Sequence, residues 1–107
     1  MKLKNITKED YTWIEQEILK ETNYLSDENK QFLNTYKLKK ILPYKLFSPT
    51  VDDDSMFVIL NYHNSVILFD DIEELFAVGK LNTDILSFTG NFTSLEESIQ
   101  FLKNSIN

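Results

Sequence analysis

Met56-Phe57-Val58-Ile59-Leu60, then Asn61-Tyr62-His63-Asn64-Ser65, then Val66-Ile67-Leu68-Phe69 is the stretch that decides the fold. Both apolar runs are too short for helices and rich in β-branched and aromatic residues. With a polar segment between them, they predict a β-hairpin. Neither run alternates apolar with polar residues, so both faces of these strands are expected to be covered, as in central strands with helices on at least one side of the sheet. His63, the only histidine, falls in the turn beside Asn64, where residues that tolerate turn conformations belong. A nucleophile–base pair or a histidine metal cluster would have to be built entirely around it, and the sequence offers no obligate partner.

Toward the C-terminus, Ile72 to Gly79 reads either as a short helical turn closed by Gly79 or as a strand carrying a bulge. The helix propensity of Glu73-Glu74-Leu75 favours the turn. Ile85 to Thr89 predicts a further strand with Gly90-Asn91 as its turn. Thr93-Ser94-Leu95-Glu96 has the form of a capping box, and Leu95, Ile99, Leu102 and Ile106 form a stripe at helical spacing. This final amphipathic helix is expected to lay one face on the sheet.

Toward the N-terminus, Thr7-Lys8-Glu9-Asp10 resembles a capping box with Asp in place of Glu. Tyr11, Ile14 and Ile18 continue it as a helical stripe that Trp13 and Leu19 widen and that fades by Asn23. Ser26-Asp27-Glu28 starts a second helix with acids in its first turn, and Phe32, Leu33 and Tyr36 supply its inner face. Pro43 stops helix propagation and biases Leu42 toward extended backbone. Tyr44 to Pro49 reads as an edge strand or an ordered connection. The whole is an α+β fold: a small antiparallel sheet with a central β-hairpin, two N-terminal helices and a C-terminal amphipathic helix packed on it. At 107 residues, with ~65% of the unfolded surface available for burial, residues 1–107 make one domain.

Composition narrows the function. The chain has no cysteine, which excludes disulfides, thiolate metal sites and thiol catalysis and is compatible with a reducing compartment. Polar residues follow Met1-Lys2-Leu3-Lys4 where an apolar signal core would stand, and no run approaches the ~20 apolar residues of a membrane span. A cytoplasmic location is expected. Charge is unevenly placed: residues 1–50 hold nine lysines and seven acids, whereas residues 51–107 hold two lysines and ten acids. An acidic C-terminal half disfavours direct nucleic-acid and anionic-membrane contact and favours a cationic partner, whose encounter it accelerates.

Two acidic clusters are candidates for that contact. Asp52-Asp53-Asp54 lacks the calcium-loop pattern, because Phe57 and His63 stand where the turn glycine and the twelfth-position acid are required. It reads as a solvated loop or as a contact for lysine or arginine on a partner. Asp70, Asp71, Glu73 and Glu74 follow a buried strand. Paired carboxylates serve acid–base or metal-assisted chemistry when a pocket surrounds them. With two glycines and no phosphate-binding loop, the chain has little to build one, and a charged helix start or a binding surface remains. Phe57, Phe69, Phe76, Phe88 and Phe101 read as core, and Tyr62, beside the turn, as the aromatic expected at a surface and an interface. No catalytic set, metal site or cofactor-binding motif emerges.

Val66 to Gly79, Ile85 to Gly90 and Ser94 to Ile99 together resemble immunity proteins of bacterial contact-dependent growth inhibition systems. Asp70, Asp71, Ile72, Glu73, Glu74, Phe76, Val78, Gly79, Ser94 and Leu95 carry the resemblance over roughly residues 56–103, and Ala77 departs where the family pattern has Gly. The resemblance implies an α+β fold, no enzymatic activity, no cofactor, and tight binding to one cognate toxin C-terminal domain, often a nuclease. Asp70, Asp71, Glu73 and Glu74, with Tyr62 and Asp52 to Asp54, would then engage a basic toxin surface. The alternative is an acidic nucleic-acid mimic or adaptor that inhibits another nucleic-acid-handling protein.

Overall fold

A computed structural model describes residues 8–43, 56–70, 73–82 and 85–105. In chain order the elements are α1 (Lys8–Thr22), α2 (Asp27–Tyr36), β1 (Lys37–Pro43), β2 (Met56–Tyr62), β3 (Ser65–Asp70), β4 (Leu75–Asn82), β5 (Ile85–Phe92) and α3 (Leu95–Ser105). The five strands form one antiparallel sheet in sequential order, β1-β2-β3-β4-β5. The α+β class with helices at both ends of the chain is as the sequence predicts.

The hairpin of β2 and β3 is its centre. Tyr62 pairs with Ser65, which shortens the connection to His63-Asn64, both at positive φ (49° and 66°). Two successive left-handed residues make the mirror-image turn whose twist matches the strands, so His63 is a turn residue. Ile59 is an extra residue in β2, because Val58 pairs with Leu68 and Leu60 with Ile67. This bulge turns Ile59 and Leu60 to the same side. Phe57, Ile59, Leu60, Ile67, Phe69, Phe76 and Val78 face Ile14, Leu33, Leu95, Ile99 and Leu102 from the helices and Leu25 from the α1–α2 connection, with Ile41 of β1 alongside. Met56, Val58, Val66, Leu68 and Ala77 form a second buried cluster, against which Leu38 packs among the described residues. Both sides of the hairpin are covered, as its unbroken apolar runs require.

Several elements depart from the sequence expectation. Helix α2 stops at Tyr36: Lys37 is extended (φ −63°, ψ 150°), its N–H closes the helix on Leu33 O, and Lys37–Pro43 pairs with β2. Pro43 ends an edge strand there, where a missing donor is tolerated; the Tyr44 to Pro49 reading lies outside the described residues. Glu73-Glu74-Leu75 does not start a helix. From Leu75 onward the chain pairs with β3 in unbroken register, burying Phe76 and Val78 on the helix side and Ala77 on the other. Tertiary pairing there outweighs helix propensity. The bulge lies in β5, where Thr89 is the extra residue opposite Val78 and Gly79 and donates its hydroxyl to Val78 O at 3.1 Å. Gly90 and Asn91 are paired strand residues, and a Cβ at Gly90 would stand 2.8 Å from the Phe92 ring. Phe88 is not core: it pairs with Gly79, one step out of phase with inward Val78 on an edge strand, and is 55% exposed.

Interlocked polar groups fix the helices to one another. Ser94 Oγ accepts the Glu97 N–H at 3.2 Å, so the cap of α3 lies one residue later than the sequence pattern suggests. That shift releases Glu96, whose two oxygens accept Ser26 N–H and Asn29 Nδ2, each at 3.0 Å, at the start of α2. Glu21 at the end of α1 accepts the Leu95 N–H at 3.0 Å, satisfying a first-turn donor of α3. Asn29 is wholly buried, and its Oδ1 accepts from Lys103 at 2.9 Å.

Candidate functional site

Asp70 ends β3 opposite Leu75 at the start of β4, and Glu73-Glu74 is the described part of the loop between them. Asp70 is half-buried, and its Oδ1 accepts the Glu73 N–H at 3.1 Å, an Asx-type bond that folds the loop back on itself. Glu73 and Glu74 are exposed. Glu74 adopts φ 54°, a left-handed conformation that glycine or asparagine takes at less cost than a glutamate. Among the described residues the loop thus holds two carboxylates in solvent, one on unfavourable backbone.

Asp71 and the Asp52-Asp53-Asp54 cluster lie outside the described residues. Tyr62 is at the other end of the hairpin, because it pairs with Ser65 whereas Asp70 pairs with Met56. The length of β3 separates the two ends by about 17 Å. Tyr62 is half-buried among Phe32, Tyr36 and His63, with ring centroids 5.1, 4.4 and 4.3 Å away. It does not join Asp70, Glu73 and Glu74 in one patch.

A different aromatic stands closer to the acids in the fold. Trp13 is 40% exposed, and its ring lies 6.1 Å from that of Phe69, the residue before Asp70. Its place beside the apolar stripe of α1 gives no sign of this exposure. Phe92, which pairs with Phe76 at the start of β4, leads through Thr93-Ser94 to exposed Glu97 in the first turn of α3. This end of the sheet therefore carries Asp70, Glu73, Glu74 and Glu97. Among the described residues, no group of three His, Asp or Glu is placed to hold a metal ion.

Glu28 illustrates how local partners set the charge of an acid. A hydrogen bond from Lys103 at 2.8 Å, reinforced by the lysine's charge, holds the Glu28 carboxyl below its ordinary range. As pH falls below about 4.3, the unfolded chain takes up this proton before the folded one, so the contribution to stability is lost as pH falls through the folded value. Melting temperature measured from pH 7 to 3 should therefore fall less steeply in a Glu28→Gln variant than in the unaltered chain.

Compared with known proteins, the chain matches no family model, no curated protein and no solved structure.

Proposed function

We propose that this chain is an immunity protein, acting in the cytoplasm, that binds and neutralises a cognate bacterial toxin domain with a basic surface, a nuclease foremost. The observation that carries the reading is the β3–β4 loop, where Glu73 and Glu74 are exposed and Glu74 holds a backbone conformation that an uncharged glycine would adopt more easily. Strain of this kind is a reason to look for a use of the side chain. Acids in solvent steer a cationic partner into encounter, and an aromatic such as Trp13 supplies apolar anchoring that charge alone lacks. A nuclease groove is cationic because it holds a phosphate backbone, so an acidic protein fits over it. Among the described residues no helix is long and apolar enough to cross a membrane.

The test is co-purification of the chain with the product of the adjacent reading frame, joined to rescue of growth when that product is toxic. Capture of a nucleic-acid-handling protein that is not a toxin would favour the mimic reading instead. Glu74→Gly separates folding from binding in the captured pair: stability should hold or rise by up to about 1 kcal/mol, because the left-handed strain is relieved. Affinity should fall. Urea titration and calorimetry read the two quantities independently, and a parallel loss of both would assign Glu74 to folding alone.

A further inference from the structure

A cavity of about 400 Å³ opens between α1, α2 and β1, away from the acidic loop. Ile18, Leu33, Ile41 and Ile59 form its apolar floor, with Leu19 at the mouth. Lys30, Lys37, Lys39 and Lys40 surround it, all four exposed, and Glu15 is the one acid in the described lining. In a chain of net charge −6, four of the eleven lysines thus converge on one concavity. No ion pair engages Lys30, Lys37 or Lys39 among the described residues, and Lys40 lies over the Tyr11 ring at 5.3 Å.

Lysines on an edge strand commonly guard it against pairing with other chains. Two observations go beyond that explanation. Lys30 belongs to α2, not to the edge, yet faces the same cavity. The register of β1 also slips: Lys37 pairs with Leu60 and Leu42 with Val58, so five steps along β1 oppose two along β2. The slipped segment Leu38–Ile41 brings Lys39 and Lys40 to the rim and Ile41 to the floor. Irregularities of this kind re-aim side chains, often beside binding sites.

We infer that this cavity binds a free small amphiphilic anion, an aliphatic chain of roughly ten carbons ending in a carboxylate. The tail would cover Ile18, Ile41 and Ile59, and the head would meet the lysines. The volume lies within the ~300–1,000 Å³ range of small-molecule sites, apolar lining with a few convergent charges is their usual composition, and cationic charge selects the sign of the head group. The concave floor reaching Ile59 of the second strand favours an inserted tail over a membrane surface or an extended polyanion.

Isothermal titration with decanoate below its micellar concentration tests this directly. One equivalent should bind per chain, whereas acetate, which has the head without the tail, and decylammonium, which has the tail with the opposite charge, should not. Lys39→Glu combined with Lys40→Glu, and separately Leu19→Glu, should each weaken decanoate about tenfold or more. Leu19 is 64% exposed and the lysines are exposed, so these variants retain the fold, which circular dichroism would verify. Equal binding of decylammonium, indifference to the three substitutions, binding only to anionic vesicles or oligoglutamate, or no decanoate binding at all would each overturn the inference.

Discussion

Asn29→Leu is expected to lower the unfolding free energy by about 2–3 kcal/mol, the net of two lost charge-assisted hydrogen bonds and the apolar burial gained. Asn29 is wholly buried between α2 and α3, donating to Glu96 and accepting from Lys103. Leucine matches asparagine in branching and heavy-atom count but is bulkier, so some overpacking adds to the polar loss. Glu96 retains the Ser26 N–H, and Lys103 retains Glu28, which limits the damage. Lys103 is only 22% exposed, however, so water restores its missing partner incompletely. For a domain of this size the melting temperature should drop by about 10 °C. Urea unfolding should show a lower midpoint with an unchanged slope. A change within about 0.5 kcal/mol, the usual range for surface substitutions, would mean that apolar contacts alone hold α2 to α3.

Reversing Glu73 and Glu74 together to lysine is expected to weaken toxin binding about a hundredfold while leaving stability nearly unchanged. Reversal replaces two attractive contacts with two repulsive ones, and about 1.4 kcal/mol for each reversal gives that factor. Both side chains are exposed, so substitution there has little bearing on the core. Asp70 is excluded from the pair because its carboxylate holds the loop through the Glu73 N–H, and a lysine there would confuse folding with binding. Calorimetry on the captured complex measures the affinity, and a melt of the free variant checks the fold.

The hairpin and the terminal helix were legible because each has a signal that few alternatives share: short unbroken apolar runs for Met56–Leu60 and Val66–Phe69, and the Leu95, Ile99 and Leu102 stripe behind the Thr93-Ser94-Leu95-Glu96 capping pattern. Strand β1 was not legible, since Lys37 to Pro43 has no alternation and owes its extended form to pairing with β2. Ile72 to Gly79 read toward a helical turn for a related reason. The intrinsic preference of Glu73-Glu74-Leu75 opposes a pairing that β3 and β5 supply.

Site residues divide along the same line. The acids Asp70, Glu73 and Glu74 stand out in the sequence as residues, whereas the left-handed backbone of Glu74 and the Asx-type bond do not. The distance between Tyr62 and those acids is a matter of hairpin register: closeness in sequence to a strand places a residue at either of its ends. The lysine-rimmed cavity gathers residues from Glu15 to Ile59 across four elements, and no local pattern announces such a convergence.

Electrostatic recruitment of a basic partner by the acidic sheet end is tested most directly by the association rate of the captured partner across a salt series. With a Debye length of about 10 Å at 0.1 M and 3 Å at 1 M, steering by exposed carboxylates should fade over that range. The rate is predicted to fall by about ten- to a hundredfold in the unaltered chain, and the Glu73→Lys, Glu74→Lys variant should start lower and respond less. A rate that ignored salt and was equal in the two proteins would contradict it.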